Sequence, residues 1–138
     1  MYELTVDATI ENISVVTDFV NGKLSVLDCP DEARFQIEVA VDEIFGNIAR
    51  YAYGEKTGKA AVRVETDDDP LAVTITFLDS GTPFDPLESD DPELDSYMYE
   101  QKIGGFGIYF VKSMMDEMRY RYEGGQNILT VKKLLKQN

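Results

Sequence analysis

A chain of 138 residues with 43% hydrophobic content is long enough for one domain with a substantial core and too short for two. Its net charge of −13 and lack of histidine exclude a nucleic acid interface built on phosphate contacts, the commonest general base and zinc ligand, and any phosphohistidine relay within the chain. The single cysteine, Cys29, excludes a disulfide framework; with no apolar run near the roughly 20 residues of a membrane span and no secretory pattern around Glu3 and Asp7, a cytoplasmic protein without membrane contact is expected.

Tyr2, Leu4 and Val6 alternate with Glu3 and Thr5, which predicts a first strand with one buried face. Asp7 or Thr9 can cap the helix that follows, where Ile10, Ile13, Val16, Val20, Leu24 and Leu27 keep helical spacing and Asn21 and Gly22 weaken the later part. A longer helix is predicted from Pro30 to Tyr53. Pro30 suits the first helical position, Asp31 and Glu32 place negative charge at the positive end of the dipole, and Gly54 ends the run. Ile37, Val41, Ile44 and Ile48 form its apolar stripe, and at about 100° per residue Gln36, Glu43, Asn47 and Arg50 border one edge of it. A carboxylate and an amide one turn apart beside buried surface can meet a ligand lying along the helix. The same pattern also suits a solvated edge with a Glu-to-Arg contact. Gly46 costs about 1 kcal/mol relative to alanine in a helix interior, and Asn47 is also a weak helix former; such costs are tolerated where something must approach closely.

Lys59 to Thr66 reads as a strand with Ala60, Val62 and Val64 on one face, and Asp67 to Pro70 as a turn. Leu71 to Leu78 is the strongest strand signal. Val73, Ile75 and Phe77 share its core face, and the period of two puts Asp79 on that face as the strand ends. A carboxylate so directed is costly unless donors satisfy it. In the Ser80-Gly81-Thr82-Pro83 segment that follows, Gly81 removes a side chain and Pro83 stops the strand. An ordinary turn that satisfies Asp79 from its own loop fits the same residues. Residues 84–103 carry two prolines, seven acids and the one base Lys102, too long a stretch for a simple connection, and are expected to form a lid. Ile103-Gly104-Gly105-Phe106-Gly107 then leads into a helix with Ile108, Val111 and Met115 on its packing face, and a glycine run at a helix N-terminus is an anion site or a hinge. Strands from Met118 to Glu123 and Ile128 to Leu135, joined through Gly124-Gly125-Gln126-Asn127, complete the chain.

In this order, Glu-x-x-x-Asn on a helix, Asp-x-Gly-x-Pro after a strand, a long lid and a glycine run before a helix resemble the GHKL (Bergerat-fold) ATPases. The match is nearest to the anti-sigma-factor serine/threonine kinases of the RsbW and SpoIIAB type. It is carried by VDEIFGNIARYAYG, LDSGTPFDP and GGFGIYFVKSMMDEMRYRYEGGQNILTVKK. The resemblance implies an α+β fold across residues 1–138: a two-layer α/β sandwich with a mixed, mostly antiparallel sheet and helices on one face. It implies ATP or ADP as ligand, with Asn47 coordinating Mg2+ and Glu43 as the catalytic base. Asp79 would accept from the adenine amine, Gly81 would give the base room, and Gly104, Gly105 and Gly107 would offer N–H groups to the phosphates. Pro83, Lys102 and Phe106 complete the implied nucleotide-binding set. The implied partners are a sigma factor and a STAS-domain anti-anti-sigma protein, with the chain as a homodimer. Tyr51 stands where many relatives carry a histidine or another basic residue, and the acidic lid would slow phosphoryl transfer unless a cation compensates. Two other functions compete: a nucleotide-binding switch without phosphoryl transfer, and a detached catalytic domain of a histidine kinase.

Overall fold

A computed structural model describes residues 1–87 and 105–135. The expected α+β two-layer fold is observed. Strands β1 (Tyr2–Asp7), β2 (Lys59–Asp68), β3 (Leu71–Asp79), β4 (Glu117–Glu123) and β5 (Gln126–Leu134) form one sheet in the order β1-β2-β3-β5-β4. Among the described residues every pairing is antiparallel. Helices α1 (Ile13–Leu24), α2 (Asp31–Asn47) and α3 (Gly105–Met114) cover one face, and α2 packs against both of the others.

Register explains why the layers meet on that face. Cross-strand pairing aligns Leu4, Val62, Phe77 and Leu129 in one row and Tyr2, Val64, Ile75 and Val131 in the next. The central members of these rows are buried in one core with Val16, Val20 and Leu24 of α1, Ile37, Val41 and Ile44 of α2, and Val111 of α3. This is the period-two face of the strands meeting the apolar stripes of the helices. Full burial of each such side chain contributes roughly 1.5–3 kcal/mol.

Local departures from the sequence expectations have physical causes. A short 3-10 turn, Ile10–Asn12, precedes α1, and neither Asp7 nor Thr9 caps it through a side chain. The Asn12 amide instead donates to the Asp7 carbonyl at 2.8 Å. Pro30 sits one position before the first turn of α2, extended at φ −60° and ψ 147°, and its carbonyl accepts from the Arg34 N–H at 3.0 Å. Proline's fixed φ suits either position. The end of the predicted long helix is a π-helical turn, Ile48–Ala52, before Gly54 reverses the chain at φ 61°. Gly124 and Gly125 make the whole β4–β5 turn at φ 62° and 79°, as a two-residue hairpin turn favours. That leaves Gln126 and Asn127 inside β5.

Candidate functional site

Glu43 and Asn47 lie one turn apart near the end of α2, both half-buried. Among the described residues, neither the Glu43 carboxylate nor the Asn47 amide makes a hydrogen bond. Burial pushes the Glu43 carboxyl above its ordinary range; the Arg50 charge opposes that shift and Asp42 adds to it. Arg50 reaches back along the helix through the π-helical turn. Gly46 makes room for it, since a side chain there would lie 2.9 Å from the Arg50 guanidinium. The α3 backbone closes over the same acid. A Cβ at Gly107 would collide with the Glu43 carboxylate, so the first turn of α3 packs directly on it.

Asp79 ends β3 with 5% of its surface exposed. One carboxylate oxygen, Oδ1, accepts from the Gly81 N–H and from the Asn127 side-chain amide, each at 2.9 Å. Among the described residues the other oxygen, Oδ2, has no hydrogen-bond partner. The acid is thus held by one oxygen and open at the other, and an ionised carboxylate can only accept. A ligand carrying an N–H donor matches it. Gly81 itself packs against the chain after α2, where a Cβ would strike the Ala52 carbonyl. The Thr82 N–H donates to that same carbonyl at 2.8 Å. Close approach to Ala52 therefore requires the glycine at 81, quite apart from any room it leaves for a ligand.

Three residues that hold this loop were not singled out from the sequence. The Tyr53 hydroxyl accepts from the Ser80 N–H at 2.8 Å and donates to the Lys59 carbonyl, while its ring fills the space above Gly58. Asn127, 7% exposed, donates to Asp79 and to the Thr82 carbonyl at 3.0 Å, and accepts from the Phe84 N–H at 3.1 Å. Tyr120 donates its hydroxyl to the Asn127 amide oxygen. A signal for Asn127 was present: two residues before Leu129, it falls on the core face of β5 by strand period.

Two contacts therefore gather the predicted residues about α2. Gly107 meets Glu43, and the loop after Asp79 meets Ala52, five residues beyond Asn47 in the chain. Pro83 is exposed, and Gly105 is the first residue of α3. Lys102, Gly104, the side chain of Phe106 and the predicted lid beyond Leu87 lie outside the described residues. A separate cleft of about 760 Å3, lined by residues including Asp7, Thr9, Lys56 and Lys59, contains none of the predicted site residues. Among the described residues no three His, Cys, Asp or Glu side chains cluster as a metal cage. The Asn47 amide, without a hydrogen-bond partner among the described residues, is compatible with magnesium, which keeps several waters and takes few protein ligands.

A carboxylate that demands a donor suits an aminopurine, and the two-layer fold around it is that of a GHKL-type ATPase domain. The chain belongs to the histidine kinase-like ATPase domain family, whose profile matches residues 6–133. It is 29% identical over 123 residues to the serine-protein kinase RsbW of Listeria innocua, spanning 80% of this chain and 76% of that protein. To the serine-protein kinase RsbW of Bacillus subtilis it is 27% identical over 135 residues, 96% of this chain and 84% of the relative. A crystal structure of the RsbU and RsbW domains of a Mycobacterium tuberculosis protein superposes with a TM-score of 0.66 at 17% identity. That likeness is one of fold, and this chain, covered over 100% of its length, spans 34% of that longer one. Among the described residues, no helix is long and apolar enough to cross a membrane.

Proposed function

We propose that the protein is an ATP-dependent protein serine kinase and anti-sigma factor, which binds a sigma factor and phosphorylates a STAS-domain anti-anti-sigma partner. The observation that carries nucleotide binding is Asp79, nearly buried, fixed through Oδ1 and open to a donor at Oδ2. The adenine exocyclic amine supplies that donor, and a carbonyl at the same position would face the carboxylate with a second acceptor. The kinase and sigma-factor readings rest on likeness to the RsbW proteins. They carry with them a cytoplasmic homodimer.

In this reading the triphosphate runs from Asp79 along α2 towards the first turn of α3, whose backbone N–H groups and dipole favour an anion. Asn47 would hold a magnesium ion there, and that ion would offset phosphate charge in a chain of net charge −13. Glu43, with its carboxyl pushed upward by burial, is the more basic for it and takes the proton of the attacking serine hydroxyl. The serine oxygen bonds to the γ-phosphorus and ADP leaves. The Arg50 charge opposes the rise at Glu43 without reversing it.

A second reading, a nucleotide-binding switch that transfers no phosphate, is favoured by the first turn of α3 lying directly on Glu43. One experiment separates the two. Wild-type protein and Glu43→Ala are incubated with γ-labelled ATP and a STAS partner, and label on serine is measured. Label in the wild type alone supports the kinase; no label in either, with ATP still bound, supports the switch. Label undiminished in Glu43→Ala removes Glu43 from the mechanism.

A further inference from the structure

We infer that Tyr120 is a positioning residue for the purine site: through Asn127 it holds Asp79 and the backbone of Phe84 in one hydrogen-bonded latch. The inference rests on reading Asp79 as the purine acceptor. Asn127 is the hub, and its amide has one workable orientation. The Phe84 N–H can only donate, which places the amide oxygen on that side; the Thr82 carbonyl can only accept and Asp79 Oδ1 already accepts from the Gly81 N–H, which places the amide nitrogen on the other. Rotating the amide by half a turn would set like against like at all three contacts.

Tyr120 completes this arrangement from β4, a strand that carries none of the predicted site residues. Its half-buried hydroxyl donates to the same amide oxygen that receives Phe84. Burial and the nearby Asp85 and Asp79 carboxylates push the hydroxyl upward, against an opposing effect of the Phe84 N–H, so it stays protonated and donating. With both acceptor sites of the Asn127 oxygen filled, the nitrogen is directed at Asp79 Oδ1. Asp79 in turn is left one oxygen, Oδ2, in one direction. Selectivity for an amino over an oxo purine thus depends on a phenol two residues removed from the ligand. Phe84, where the chain leaves the pocket, is restrained by the same amide.

The test uses Tyr120→Phe, which keeps the ring and removes the hydroxyl, with Tyr122→Phe as a control on the same strand. Dissociation constants for Mg-ATP and Mg-GTP, hydrogen exchange at the Phe84 amide and the thermal midpoint are measured for each. Tyr120→Phe is expected to lower the ATP-over-GTP preference by about 3- to 10-fold, the worth of one neutral hydrogen bond. Exchange at Phe84 should quicken while Tyr122→Phe matches the wild type. An unchanged preference in Tyr120→Phe overturns the inference, whether or not exchange at Phe84 quickens. A wild type with no preference for ATP fails earlier, at the Asp79 reading itself. Asn127→Asp is the second variant: it replaces the donor to Asp79 with an acceptor and must weaken ATP binding more than Tyr120→Phe does. An equal or smaller loss also overturns the latch.

Discussion

Alanine at position 81 would test the join between the loop after Asp79 and the central helix. The Gly81 Cα lies so close to the carbonyl of Ala52 that a Cβ would overlap backbone atoms, and backbone on both sides leaves no flexible side chain to yield. Overpacking of this kind costs about 1–3 kcal/mol. Moving the loop away would also break the Thr82 N–H to Ala52 bond of 2.8 Å, worth about 1 kcal/mol. The sum is about 2–4 kcal/mol, and at about 3 °C per kcal/mol for a domain of this size it lowers Tm by about 6–12 °C. Gly22→Ala is the matched control, because Gly22 lies within α1 and a Cβ there meets nothing within 4 Å. That change should stabilise by about 0.5–1 kcal/mol through helix propensity alone. Calorimetric or circular-dichroism melts of the two variants give the comparison. A Gly81→Ala protein melting within about 2 °C of wild type, well short of the smallest shift worked above, would refute the account of how the loop is seated.

Three further predictions concern the Glu43 end of the proposed site. Gly107→Ala drives a methyl into the Glu43 carboxylate, so phosphoryl transfer should fall at least about 10-fold, the scale of a misplaced base, as read by single-turnover assay; an unchanged rate would mean α3 leaves Glu43 when ATP binds. Arg50→Gln removes the charge that opposes the burial-driven rise of Glu43, so the acid limb of the pH–rate profile should move to higher pH, and a static limb would contradict the pairing. The same raised carboxyl has a stability sign: while protonated its burial desolvates no charge, and stability is lost as pH rises from the unfolded-state value through the folded-state value. Asn47→Ala should weaken ATP binding about 10-fold or more with magnesium present and little when EDTA removes it; equal loss in both conditions would place Asn47 on the nucleotide and not on the metal.

Much of this arrangement could be read from residue order because it depends on period. Val73, Ile75 and Phe77 set the phase that carries Asp79 to the core face, and the spacing of Glu43 and Asn47 beside the stripe of α2 put both at a buried border. What could not be read depends on contacts between distant segments. Gly81 reads in the sequence as room for a ligand, and its second role against Ala52 depends on the fold; Tyr53 reads as a helix end, and its hydroxyl lies between Ser80 and Lys59. By residue order Asn127 falls in a four-residue turn. Two positive-φ glycines completed that turn alone and drew Asn127 into β5 beside Asp79. The π-helical turn that lays Arg50 over Gly46 leaves no periodic trace in five residues.

Titration calorimetry of Mg-ATP and Mg-GTP into wild type and Asp79→Ala bears most directly on the site. The wild type should bind ATP in preference to GTP, and Asp79→Ala should lose about 10- to 100-fold in ATP affinity, the worth of a hydrogen bond to a charged acceptor, with GTP little changed. Equal binding of the two nucleotides by the wild type, or undiminished ATP binding by Asp79→Ala, would contradict the assignment of that carboxylate to the purine.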